Sequence, residues 1–479
     1  MKLNISKKDI KTNGGITLIA LVITIIVLLI LAGVAIATLT GDNGLLTKAG
    51  DARNTTQDAE IEEEIRVAWN KVYMDSYLDS TTDKANALKT ELEKNGRTVE
   101  DVRANGNKIT IKNYRGKDKV LDVSTGTVKE PSAVAKAKSA RTVFRDKNTP
   151  LTDEDGNTVV IPKGFKISSD SAEVVTEGIV IEDATYENTI GSEFVWIPVS
   201  KDSSDANKVK GAKGNKTITL SRYTFDTNGD QFDQGANTID NCYTELASSQ
   251  YRNAVAKNIE DFKTKTKAAG GFWIGRYEAR TTSPTARTSE NDTLTSVTEK
   301  PENSVYNYIK QTDASAKART MYEENSYFES DLINSFAWDT ATLFLQEYDN
   351  RTYNKNTNSD YKEKYSRQIR LSSGLKNTGT NDSGIAEAYK DKICNVYDMA
   401  DNCWEWTTET CSGSDLPCVG RGGYYYNSDY YTSGRDSIGA SDASYRNSFR
   451  PLLYVMQNWI LWKPKLGHCK VLLYSAVIE

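Results

Sequence analysis

One histidine, His468, stands in 479 residues. Histidine-based triads, metal hydrolysis and imidazole acid–base catalysis therefore have almost no material. An excess of positive charge is lacking too: the net charge is -5 and the pI about 5.4, which offers no general attraction to nucleic acid. Carboxylates are abundant, but no paired-carboxylate constellation is recognisable from spacing. The six cysteines are too few for a small stapled scaffold. Five of them (Cys394, Cys403, Cys411, Cys418, Cys469) crowd the C-terminal end. Cys411 and Cys418 enclose a short loop that closes as a disulfide if their Cα atoms come within about 7 Å. Free thiols are the alternative, and the connectivity of the others is unreadable.

What is present is a long uncharged run. Behind a leader with Lys2, Lys7, Lys8 and Lys11, the stretch from Gly14 to Leu39 carries no charge. Some 20 residues of helix cross the ~30 Å hydrocarbon layer, so the run predicts a single membrane-spanning helix. The lysines precede it and the first charge after it is Asp42, so the leader stays inside and the rest of the chain faces outward. A signal peptide has a shorter apolar core that ends at a cleavage site. The Gly15-Ile16 junction, placed before the run, resembles the processing site of type IV prepilins over about residues 10 to 78. The resemblance implies cleavage by a prepilin peptidase and contact with other pilins. It departs at Ala20, where the family carries a glutamate, and this weakens the implied packing into a filament. A plain single-pass anchor is the alternative.

The Gly41-Asp42-Asn43-Gly44 break ends that helix. A second helix is expected from Thr55 to Leu78, with Thr55 and Asp58 as a capping box and Ile61, Ile65, Ala68 and Val72 as one apolar stripe. Alternation in Lys108–Lys112 and Lys119–Val123 around Tyr114-Arg115-Gly116 predicts a β-hairpin. Residues 130 to 141 read as a linker. Short strands are expected at 159–165 and 178–181, then aromatic core segments at Phe194–Pro198 and Gly271–Tyr277, and a helix over 335–348. The polar stretches 201–216, 281–300 and 352–365 read as surface insertions.

Over about residues 190 to 455, Phe194-Val-Trp-Ile-Pro198, Asn395 to Thr407, Arg421-Gly-Gly423 and Phe449-Arg-Pro451 resemble the sulfatase-modifying-factor, or formylglycine-generating, fold, a C-type-lectin-like domain. The expected fold class is therefore α+β: a long pilin-like transmembrane helix with a small β head, then a mixed α/β lectin-like domain. The expected divisions are 1–15 leader, 16–129 helix and head, 130–189 linker and short strands, 190–455 lectin-like domain, and 456–479 a C-terminal extension of open role.

The residues of these motifs have a physical reading of their own. Trp404 and Trp406 alternate with Glu405, so the rings face one side of a strand and the carboxylate the other. Glu405 then points to solvent, joins a buried ion pair or meets a cation; the resemblance implies structural calcium there, held by hard oxygen ligands. Arg421 and Arg450 suit ties to carboxylates, and Gly422 and Gly423 suit a turn. In family members that oxidise cysteine, two thiolates follow Arg-Gly-Gly and bind copper; here Asn427 and Thr432 take those positions. No catalytic residue and no required cofactor are expected. The stretch from Tyr424 to Asn447 is rich in Tyr, Ser, Asn, Asp and Gly, the composition of recognition loops. It resembles the variable region of lectin-like proteins diversified by retroelements. Tyr424, Tyr425, Tyr426, Asn427, Asp429, Tyr430, Tyr431, Arg435 and Tyr445 are the expected contact residues for an extracellular protein or glycan. A polar loop that merely covers the domain is the alternative, and a minor pilin with a mainly structural role is the alternative for the whole chain.

Overall fold

The structure is a computed structural model that describes residues 22–32, 45–78, 83–225, 231–243, 256–348, 392–424 and 432–456, apart from single positions and short gaps inside these ranges. Among the described residues no helix is long and apolar enough to cross a membrane. Of the apolar run, residues 22–32 are helical and exposed. The rest of it, with Gly15, Ile16 and Ala20, lies outside the described residues, as do residues 352–365 and 457–479. The architecture is mixed α+β, with two compact units, Met1–Pro131 and Ser132–Glu479.

In the first unit, helix α1 (Leu45–Leu78) and helix α2 (Lys84–Glu93) pack with a four-stranded antiparallel sheet: β1 (Asp101–Asn105), β2 (Lys108–Tyr114), β3 (Lys117–Asp122) and β4 (Thr127–Lys129), in sequence order. The expected stripe of Ile61, Ile65, Ala68 and Val72 is buried and meets Leu88, Ile109, Ile111 and Leu121. A fully buried Ile or Leu contributes about 1.5–3 kcal/mol. The hairpin turns through Arg115 (φ 53°) and Gly116 (φ 80°) between Tyr114 and Lys117. Two positive φ values in a two-residue loop match the right-handed twist of the strands. The helix start differs from expectation, because α1 begins at Leu45 and Thr55 Oγ1 donates to Asp51 O at 2.8 Å inside the helix. A capping pattern within a longer run of helix formers has no terminus to cap.

In the second unit the expected linker is structured. Ser132 accepts from Ala135 N at 3.1 Å and caps α3 (Ala133–Ser139), whose Val134 and Ala137 enter the core. Strands β5 (Thr149–Thr152) and β6 (Thr158–Ile161) form a hairpin. Next come β7 (Phe165–Ile167), β8 (Val180–Asp183), β9 (Glu193–Pro198), β10 (Tyr223–Phe225), β11 (Gln231–Asp233) and β12 (Cys242–Tyr243). Helix α4 (Ile259–Ala269), β13 (Gly271–Gly275), helix α5 (Gln311–Thr320), β14 (Phe328–Leu332) and helix α6 (Ser335–Tyr348) follow. The chain closes with β15 (Trp404–Cys411), β16 (Cys418–Arg421), β17 (Asp436–Ile438), β18 (Asn447–Phe449) and β19 (Pro451–Val455).

Two larger sheets carry the unit. The first has the order β14-β19-β13-β9-β8-β7; the second runs β12-β15-β16-β17, with β18 parallel to β15. Phe165 on β7 and Phe328 on β14 belong to the outer strands of the first sheet, yet their rings lie 5.5 Å apart. The sheet therefore curls until its edges meet. Helix α6 packs against β9 of one sheet and β15 of the other and is buried from Ser335 to Leu345, with Asp339, Thr340 and Thr342 buried among its apolar side chains. The stretch 281–300 is only partly a surface insertion, since Glu299 is wholly buried and Arg287 nearly so.

Candidate functional site

The tyrosine-rich stretch is mounted on a buried charge network. Arg421, the last residue of β16, stands shortly before it, and Arg435, within it, immediately precedes β17. Arg421 donates to Glu409 Oε2 at 2.9 Å and Asp339 Oδ1 at 2.5 Å. Arg435 donates to Glu409 Oε1 at 2.7 Å and to Asp339 Oδ2. A third guanidinium, Arg222, reaches Glu409 Oε1 at 3.0 Å. Asp339 arrives from α6 and Glu409 from β15, so separate elements converge on one cluster. Burial pushes the Glu409 carboxyl up, but Arg435, Arg421 and Arg222 outweigh it and hold it down at about 2. Arg421 also donates to Gly434 O at 2.7 Å and Ser433 O at 3.1 Å, and Trp338 Nε1 donates to Thr432 O at 3.0 Å. The segment between Arg421 and Arg435 is thus anchored at both ends.

This network corrects one expectation. The Arg435 side chain is 1% exposed and belongs to the scaffold, not to a contact face. Small polar neighbours made it look like a loop residue, and two distant carboxylates bury it. Arg421 behaves as expected. Gly422 and Gly423 turn the chain with φ of 83° and 79°.

Of the expected contact residues, Tyr445 is 43% exposed. Tyr424 is half-buried, its ring 6.4 Å from Trp404 and 5.6 Å below the Arg446 guanidinium. Tyr425, Tyr426, Asn427, Asp429, Tyr430 and Tyr431 lie outside the described residues. Thr432 is buried. A residue not anticipated from the sequence joins Tyr445: the Tyr308 ring lies 6.5 Å away. Tyr308 has a left-handed backbone (φ 54°), which a bulky residue adopts only when its surroundings impose it. Its N–H donates to Ser444 O at 3.0 Å, and Arg287 donates to its carbonyl at 2.9 Å. No local pattern around Tyr308 signals this.

A second charged cluster underlies the Trp-Glu-Trp strand. Trp404 and Trp406 are buried together, and Glu405 takes the ion-pair alternative: Arg450 Nε donates to Oε2 at 2.9 Å and Nη2 to Oε1. Burial pushes Glu405 up to about 7 against the pull of Arg450. With both oxygens engaged by one guanidinium, Glu405 does not fit the calcium-ligand role. Among the described residues no group of three His, Cys, Asp or Glu side chains is arranged to hold a metal. Glu278 accepts from Cys403 N at 2.8 Å and from Asn402 Nδ2, and burial with Asp398 and Glu405 nearby raises it well above the usual carboxylate range.

The disulfide also differs from expectation. Cys411 pairs with Cys242, not Cys418, across the β12–β15 contact. Cys418 sits opposite Thr410 on β16 and is a buried thiol. No protein-family model, curated protein or solved structure matches the chain.

Proposed function

We propose that this chain is a cell-surface ligand-binding protein, not an enzyme, that presents a tyrosine-rich face on a rigid lectin-like scaffold. The observation that carries this reading is the clamp: Arg421 and Arg435 are held to the same two buried carboxylates, Asp339 and Glu409. A recognition loop gains affinity when its ends are fixed before binding. The half-buried Tyr424, inside that loop, and the exposed Tyr445, after β17, supply rigid amphipathic contact area. The N-terminal apolar run holds the protein at the membrane with its domains outside, and the Cys242–Cys411 disulfide suits that compartment. The ligand is an extracellular protein or glycan, with no nucleic acid and no required cofactor. Screening the purified protein against extracellular protein and glycan arrays tests this. Tyr424→Ala and Tyr445→Ala, with the tyrosines of 425–431 changed together, should weaken a discovered ligand by about 1–4 kcal/mol per hot-spot residue. Unchanged affinity would sink the reading. If the stretch is diversified by a retroelement, coding sequences from sister isolates will differ chiefly across 424–447.

A second reading is supported by the first unit, where a long helix is covered by four antiparallel strands. On that reading the chain is a minor pilin or pseudopilin, cleaved after Gly15 by a prepilin peptidase. N-terminal sequencing of the mature protein should then begin at Ile16. An intact Met1 would remove it.

A further inference from the structure

Where the edges of the curled sheet meet, the chain builds a cleft that shares no residue with the tyrosine-rich stretch. Its centre is a ridge made by Tyr186 and Asn325. The Tyr186 hydroxyl donates to Lys163 O at 3.1 Å and accepts from Asn325 Nδ2 at 2.7 Å. Its ring lies against Gly164 (φ 91°), where a Cβ would come within 2.6 Å of the ring, and packs edge-on to Tyr322 and Phe328. The ridge is therefore fixed before any ligand arrives.

A basin opens on each side. One, of about 330 Å³, is lined by Arg145, Lys163, Ser326 and Tyr327. The Lys163 ammonium sits 4.1 Å from the Tyr327 ring centroid, which positions the charge without neutralising it. The other, of about 450 Å³, is lined by Glu187, Asn188, Thr320 and Glu323. Among the described residues, Arg145 and Lys163 are paired with no carboxylate, and Glu187 and Glu323 with no cation. Such a surface offers donors for an anion at one end. At the other it offers acceptors for a dense set of hydroxyls, and rings for the apolar face of a sugar. A carboxylate pair at the far end disfavours a uniformly acidic peptide.

We propose that this cleft binds an acidic oligosaccharide. Its carboxylate or sulfate lies between Arg145 and Lys163, and its neutral hydroxyls donate to Glu187 and Glu323 across the Tyr186–Asn325 ridge. The site is independent of the tyrosine-rich face.

The test is titration calorimetry on the full chain in detergent. The probes are a neutral hexose trisaccharide extended by one terminal hexuronic acid (the uronate), the matched neutral hexose tetrasaccharide, a tetra-aspartate peptide and sodium sulfate. The uronate should bind, with the neutral sugar weaker by about tenfold, the scale of one charge-assisted contact. Arg145→Ala with Lys163→Ala should abolish that preference, and Glu187→Gln with Glu323→Gln should weaken both sugars; these changes lie on the surface and should leave the melting temperature in place. Tyr424→Ala and Tyr445→Ala should leave uronate binding unchanged, so failure here is distinguishable from failure of the tyrosine-rich face. Equal binding of both sugars, an unchanged preference in the double alanine variant, tetra-aspartate binding as tight as uronate, or sulfate alone matching the tetrasaccharide would each overturn the proposal.

Discussion

Arg421 and Arg435, at the two ends of the segment that begins the tyrosine-rich stretch, divide the oxygens of Glu409 between them: Arg421 takes Oε2 at 2.9 Å and Arg435 takes Oε1 at 2.7 Å. Neither arginine is adjacent to Glu409 in sequence, so the contact forms only when the fold closes. It orders loop ends that local propensity leaves open.

Replacing Glu409 by Gln should be strongly destabilising. It leaves three buried guanidiniums, Arg222, Arg421 and Arg435, with the Asp339 carboxylate as the remaining anion of the cluster, and breaking a buried ion pair from one side costs about 3–5 kcal/mol. Urea unfolding followed by tryptophan fluorescence checks this. A loss below about 1 kcal/mol would mean that water reaches the cluster.

Stability should pass through a maximum with pH. Glu409 is held down at about 2 in the folded state, so its contribution is complete above the unfolded carboxylate range and is lost as pH falls toward 2. Glu278 is shifted the other way by burial and by Asp398 and Glu405, so the folded state keeps its proton longer than the unfolded chain. Its contribution is complete at low pH and fades as pH rises past the usual carboxylate range. Glu278→Gln should lessen that higher-pH decline, which Glu405 and Glu299 share, and leave the acid limb in place, as melting temperatures across pH would record.

Non-reducing peptide mapping should recover Cys242 linked to Cys411, and Cys418 should react with alkylating agents only after unfolding. The bond closes a loop with a sequence separation of 169. Replacing both cysteines by serine should cost about 2–5 kcal/mol. A Cys411–Cys418 peptide instead would contradict the β12–β15 pairing.

Gly422→Ala should destabilise the second unit by about 1–3 kcal/mol. Its φ is 83°, and an added Cβ would lie 2.9 Å from Met399 O. Differential scanning calorimetry checks it, and an unchanged transition would show that the turn relaxes.

Elements with a strong local period were legible. The stripe on α1 and the alternation in β2 and β3 are written in neighbouring residues, and α6 is marked by its aromatic and apolar residues. The Trp-Glu-Trp alternation likewise placed the rings in the core and left an ion pair among the options for Glu405. Long-range partners were not legible. Cys242 is 169 positions from Cys411, and a nearer cysteine, Cys418, offered a simpler loop that the strand register then separates. Arg435 looked like a surface residue because Asp339 and Glu409, which bury it, lie far off in sequence and carry no motif. Tyr308 had no signal, since its left-handed backbone is imposed by Arg287 and Ser444.

Arg450 alone separates β18 from β19, and those strands belong to different sheets. Its side chain grips Glu405 on β15 and donates to Gly275 O at the end of β13 at 2.9 Å. Load on β18 would therefore reach β19 with no slack chain between the two strands, so that these strands should give way together.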